Sequence, residues 1–191
     1  MFYNATKAMV KRFYHTRFKV RVIGEDRIPP EGPVVICSNH VSELDPPLVA
    51  ISVKREMSFF AKSELFRIPV IGFLISHLNA FPVERGKGDR AALKKSIEVL
   101  KEGNLLLIFP EGSRNKSGTL KDLQQGASFM AVKSGAKIVP TAIKGTYDRK
   151  KGVTIVFGKP IDTAALVAEG KNRKEITERI REDINNLLIS A

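Results

Sequence analysis

Two short runs, Val34 to Cys37 and Leu105 to Phe109, are apolar at every position and lie between stretches of helical periodicity. A strand that is apolar at each residue has both faces covered, which is the pattern of a parallel sheet held between helix layers. Phe18 to Ile23, Met57 to Ala61, Ala80 to Val83, Ile138 to Ile143 and Val153 to Phe157 read as further strands. Helices are expected over Asp45 to about Val53, Pro69 to Leu78, Asp89 to Lys101, Gly126 to Lys133 and roughly Lys174 to Ile189, with a short helical turn at Ser63 to Phe66. Asp45, before Pro46 and Pro47, reads as the N-cap of its helix. The alternation predicts an α/β layered sandwich: a mixed, mainly parallel sheet flanked by helices. With 191 residues, 43% of them hydrophobic, the chain has material for one substantial core. One main domain over 18–191 is expected, with residues 1–17 as an appendage.

That appendage carries a distinct signal. Phe2, Ala5, Met9 and Phe13 recur at spacings of three and four, Val10, Tyr14 and Phe18 widen the stripe, and Lys7, Lys11 and Arg12 lie around its flanks. Residues 1–23 also hold Lys7, Lys11, Arg12, Arg17, Lys19 and Arg21 with no acidic residue, half of the chain's formal net charge of +12. A basic amphipathic helix of this kind suits an anionic membrane surface, each basic residue adding about 1 kcal/mol near anionic lipid. The alternative is a helix packed on its own domain. The most apolar longer stretch, Ile68 to Phe81, is interrupted by Gly72, Ser76, His77 and Asn79. It falls short of the roughly 20 residues of a spanning helix, so none is predicted. With one cysteine, Cys37, in a buried run and no secretory signal pattern, the expectation is a reduced protein on the cytoplasmic side of a membrane, attached peripherally.

A net positive charge favours anionic partners without choosing among them. No zinc-finger, helix-turn-helix or aromatic RNA-binding signature is present, so nucleic acid is not expected. Three histidines and one cysteine form no ligand-spaced cluster, and no metal is expected either.

The chemistry gathers where strands end. Ser38-Asn39-His40-Val41-Ser42-Glu43-Leu44-Asp45 follows a buried strand and runs into a helix. A histidine, with an ordinary pKa of about 6.5, can take a proton from a hydroxyl near neutral pH. It does so better when a carboxylate orients one ring nitrogen and stabilises the imidazolium, and Asp45 is near enough to reach back to His40. Ala80-Phe81-Pro82-Val83-Glu84-Arg85-Gly86 ends a strand with an arginine, whose planar fork suits phosphate. Phe109-Pro110-Glu111-Gly112-Ser113-Arg114 breaks a buried strand with proline and presents Glu111, Gly112 and Arg114. Ile138-Val139-Pro140-Thr141-Ala142-Ile143 taken alone reads as core.

In order and spacing these four segments resemble the motifs of the glycerolipid acyltransferase family, specifically its 1-acylglycerol-3-phosphate acyltransferases, over about Arg27 to Ile143. The first and third match without gaps; the second and fourth are looser. In the commonest form of the third, a threonine stands where this chain has Ser113 and a serine where it has Asn115. The resemblance implies that 18–191 is the catalytic domain and that His40 and Asp45 form its dyad. Arg85, Glu111, Gly112 and Arg114, with Lys62 in Ala61-Lys62-Ser63-Glu64-Leu65, would then form the acceptor-phosphate pocket. It further implies transfer of a fatty acyl group from acyl-coenzyme A or acyl-carrier protein to the free hydroxyl of 1-acylglycerol 3-phosphate, giving phosphatidic acid, with no cofactor. Another lysophospholipid, glycerol 3-phosphate, or water in a thioester hydrolase are the alternative acceptors. No Gly-x-Ser-x-Gly elbow supports the hydrolase. Oxyanion donors are sought among the amides near the helix that starts at Asp45.

Overall fold

At the centre of the sheet is β2 (Val34–Ser38), buried at every residue. The computed structural model describes residues 2–83, 90–115 and 119–190. Val34 and Ile36 point into one core and Val35 and Cys37 into another, so β2 separates two helix layers as its unbroken apolar run demands. It is parallel to β5 (Leu105–Ile108) on one side and to β6 (Lys137–Gly145) on the other, with Val34 level with both Leu105 and Lys137. Beyond β5 lie β3 (Met57–Lys62) and β4 (Ala80–Val83), and beyond β6 lie β7 (Val153–Phe157) and β1 (Val20–Ile23). The order is β1-β7-β6-β2-β5-β3-β4. Among the described strands only the β6–β7 pair is antiparallel, so β1 and β7 run against the other five. The expected mixed, mainly parallel sheet is what forms.

One core holds α1 (Phe2–Arg17), α2 (Asp45–Ile51) and α3 (Pro69–Ser76), through Tyr3, Val10, Tyr14, Leu48, Val49 and Ile75. The other holds α4 (Arg90–Lys101), α5 (Gly126–Ser134) and, beyond a short helix α6 (Thr163–Ala168), α7 (Arg173–Ile189). Leu100, Met130, Ile176, Ile180 and Ile184 supply its apolar contacts. The start of α7 is fixed by a capping box between Asn172 and Glu175. Asp89, the expected start of α4, lies outside the described residues. Helix α6 was not expected from periodicity; it is six residues long and depends on Asp162, whose carboxylate accepts from the amides of Ala164 and Ala165. At the other end, Phe18 precedes the strand it was expected to open, which begins at Val20.

Helix α1 has two apolar faces, not one. Tyr3, Thr6, Val10 and Tyr14 are buried against the domain. Tyr3 accepts a hydrogen bond from the Met57 amide at 3.0 Å, Tyr14 donates to the Leu44 carbonyl at 2.8 Å, and Lys7 donates to the carbonyls of Val53 and Lys54. Burial lowers the Lys7 ammonium from the usual lysine range. Phe2, Met9 and Phe13 remain exposed, beside an exposed apolar surface made by Ile68, just before α3, and by Val70, Ile71 and Phe73 of α3. His77 joins the two surfaces through ring contacts with Phe2 and Phe73. Among the described residues no helix is long and apolar enough to cross a membrane.

Candidate active site

The carboxyl ends of β2, β5 and β3 lie side by side, and the segments that leave them bring His40, Glu111 and Lys62 to the same edge of the sheet. This is where an open α/β sheet places its ligands, because the loops diverge there.

His40 and Asp45 meet as the sequence suggested, with Nδ1 and Oδ2 2.8 Å apart and both residues buried. The expected cap does not form. Leu44 is the N-cap residue of α2, and the Asp45 carboxylate turns back over the loop. Its Oδ2 also accepts from the amides of Val41 at 2.7 Å and Ser42 at 2.8 Å, while Oδ1 accepts from the Tyr147 hydroxyl at 2.6 Å. The carboxylate therefore acts as the hub of its own loop. With Nδ1 occupied by Asp45, Nε2 of His40, which has no hydrogen-bond partner among the described residues, is the nitrogen able to accept a proton. The imidazole stacks on Phe109, ring centroids 4.0 Å apart and nearly coplanar at 16°.

Asn39 fixes the loop from the other side. Its amide group donates to the Ile143 carbonyl at 3.0 Å and accepts from the Ile143 amide at 2.7 Å, mimicking a strand partner for β6. Glu111 fixes it from below, accepting from the His40 amide at 3.0 Å, the Asn115 side chain at 3.1 Å and the Lys121 amide at 3.1 Å. Both Glu111 oxygens are thus occupied in joining three segments. Gly112 adopts φ 69°, and a Cβ there would come within 2.6 Å of the Gln124 side chain, so glycine meets a conformational and a steric demand at once.

Around the start of α2 the amides, that of Glu43 aside, are already engaged and are not available to an oxyanion. Those of Val41 and Ser42 serve Asp45, that of His40 serves Glu111, that of Leu44 goes to the Ser42 hydroxyl and that of Asp45 to the Ser42 carbonyl. Pro46 and Pro47 have no N–H to offer.

A cleft of ≈ 1760 Å³ opens from His40, beyond the roughly 300–1,000 Å³ of a small-molecule site. Its walls are mostly apolar: Met9 and Phe13 of α1, Val70 and Phe73 of α3, and the buried Leu78, Ala92 and Met130. Polar groups concentrate near His40. Arg114 and Lys62 line the cleft and are exposed, and Arg114 pairs with Glu43 at 2.8 Å. Arg85 lies outside the described residues, past the end of β4 at Val83. Among the described residues no group of three or more metal-ligating side chains is placed to hold an ion.

Sequence reading missed Phe109 as the stacking partner of His40 and Tyr147 as a partner of Asp45. For Phe109 the signal was its place in the third segment. For Tyr147, 102 residues from Asp45, there was none. Burial, and next the nearby Asp45 carboxylate, push the Tyr147 phenol far above the usual tyrosine range, so it stays a donor. The same causes raise Tyr14.

A histidine held by a buried carboxylate opens onto a large, mostly apolar cleft in an open α/β sheet, an arrangement able to carry general-base chemistry on a substrate with apolar groups. The sequence profile of the family described as Acyltransferase matches residues 19–144, and the chain belongs to that family. A chloroplastic 1-acyl-sn-glycerol-3-phosphate acyltransferase of Arabidopsis thaliana is 34% identical over 132 residues, covering 68% of this chain and 37% of its own length. A 1-acyl-sn-glycerol-3-phosphate acyltransferase of Bacillus subtilis is 28% identical over 176 residues, covering 88% of this chain and 87% of its own length. The crystal structure of the 1-acyl-sn-glycerophosphate acyltransferase PlsC from Thermotoga maritima superposes with a TM-score of 0.78 at 28% identity, covering 99% of this chain and 80% of that one. The chain spans between 37% and 52% of the length of the first two curated relatives it matches.

Proposed function

We propose that this protein transfers a fatty acyl group from an acyl thioester, acyl-coenzyme A or acyl-carrier protein, to the free hydroxyl of 1-acylglycerol 3-phosphate, forming phosphatidic acid. The observation that carries this reading is the position of the His40–Asp45 pair at the polar end of the apolar cleft, beside the exposed cations Arg114 and Lys62.

Nε2 of His40 takes the proton of the acceptor hydroxyl as its oxygen bonds to the thioester carbonyl carbon. Asp45 stabilises the imidazolium. The tetrahedral intermediate collapses, the C–S bond breaks, and the departing thiolate recovers the proton from His40. A thioester is reactive enough for direct attack, so the proposal includes no covalent enzyme intermediate, metal or cofactor. Arg114, Lys62 and Arg85 hold the acceptor phosphate and so place its hydroxyl beside His40. Glu111 and Gly112 serve this pocket by shaping its loop. The exposed apolar residues of α1 and α3 at the cleft mouth, with the basic charge of residues 1–23, suit peripheral attachment to the anionic cytoplasmic face of a membrane, where a lysolipid acceptor resides.

The test is incubation of the purified protein in mixed micelles with lysophosphatidic acid and either palmitoyl-coenzyme A or palmitoyl-carrier protein, with products followed by mass spectrometry. Phosphatidic acid is the expected product. Thioester consumption without it would transfer the assignment to hydrolysis or to another acceptor, and no consumption with either donor would overturn the reading.

A further inference from the structure

We infer that Tyr147 is a positioning residue of the site, its hydroxyl fixing the second oxygen of Asp45 so that the first stays directed at His40. The inference rests on the assignment of His40 as the base. Oδ2 of Asp45 is held by the His40 ring and by two amides of its own loop, all within five residues. Oδ1 is held by Tyr147 at 2.6 Å, from the segment between β6 and β7. Without that bond, Oδ1 would be a buried carboxylate oxygen with no donor among the described residues, and rotation about the Cβ–Cγ bond would exchange the two oxygens.

Tyr147 is itself immobilised. Its ring makes edge contacts with Tyr14, centroids 6.5 Å apart, and with Phe18, 5.5 Å apart. Tyr14 in turn donates to the carbonyl of Leu44, the residue preceding Asp45. The end of α1 and the β6–β7 connection therefore converge on one carboxylate. Among the described residues, the charged or titratable groups facing the His40–Asp45 pair are Tyr147 and Tyr14, Glu111 beneath the His40 amide, and Lys62 and the Glu43–Arg114 pair at the cleft rim.

The phenol also draws negative charge from Asp45. Removing the donor concentrates charge beside the imidazole and favours its protonated form; a more acidic donor does the reverse. The experiment is a graded series at this position: wild type, Tyr147→Phe, and Tyr147 replaced biosynthetically by fluorotyrosine, with Tyr14→Phe as comparison. For each, kcat/KM is measured from about pH 5 to about pH 8, and the His40 ring is titrated by nitrogen NMR. Tyr147→Phe is expected to lower kcat/KM about tenfold and move the acid limb and the ring titration to higher pH. Fluorotyrosine is expected to move both to lower pH, and Tyr14→Phe to move neither. A limb and titration that stay fixed across the Tyr147 series, or that Tyr14→Phe shifts equally, would overturn the assignment. Because fluorotyrosine keeps the ring and its packing, the result does not depend on the phenylalanine variant folding. Because the NMR titration needs no turnover, failure of the acyl-transfer reading is separately visible.

Discussion

On one side of the cleft mouth Asp45 is wholly buried and its two oxygens accept four hydrogen bonds; on the other, the Arg114 side chain is 40% exposed and its partner Glu43 is 73% exposed. Hydrogen bonds to a charged group contribute about 1.5–3 kcal/mol each, and breaking a buried charged pair costs roughly 3–5 kcal/mol. An exposed ion pair is worth about 0–1 kcal/mol. His40, the proposed base, is therefore tied to a carboxylate held by several strong interactions, while Arg114 is held by one weak enough to exchange for the phosphate of the proposed acceptor. Proton transfer needs fixed geometry, whereas an acceptor that must enter and leave needs partners that let go.

Substitution on the two sides should separate accordingly. The largest effect is expected for His40→Ala, which should lower kcat by about a thousandfold or more while circular dichroism shows the fold intact. A folded, pure variant with most of its activity would remove His40 from the chemistry and end the contrast. Next, Arg114→Ala should raise KM for lysophosphatidic acid about tenfold with kcat within about twofold. Should kcat fall as far as in His40→Ala, the rim would belong to the reacting centre and the two regions would merge. The smallest effect is expected for Glu43→Gln: freeing Arg114 should lower the acceptor KM by no more than about twofold, and added salt should erase the difference. A rise in KM would show Glu43 presenting Arg114 to the acceptor, not competing for it.

The same contrast explains what could be read from sequence. His40 and Asp45 are five residues apart on one loop, and strands as apolar as Val34 to Cys37 leave little choice of environment, so the sheet and the dyad were both visible in one dimension. Tyr147 reaches the site only because β7 turns back against β6, a reversal that no local periodicity encodes. In α1 the stripe through Phe2, Met9 and Phe13 was legible as apolar, but packing selected the neighbouring face of Tyr3, Thr6, Val10 and Tyr14, where aromatic rings bury their area and their hydroxyls still find partners. Asp45 reads as a cap from composition because acid-Pro-Pro is a common helix start. The sequence places Asp45 within reach of His40, but only the folded loop shows the carboxylate also taking two amides and leaving the helix start uncapped.

The solitary thiol of Cys37 lies fully buried in the central strand, and burial drives it far above the usual thiol range. Thiolate is the reactive form, so the folded protein is in effect chemically blank toward maleimides and other sulfhydryl reagents. A cysteine introduced at Phe13 or Phe73 would then be the one labelled position, allowing a spin label or fluorophore on either side of the cleft mouth to test whether that site enters a bilayer without first deleting a native residue.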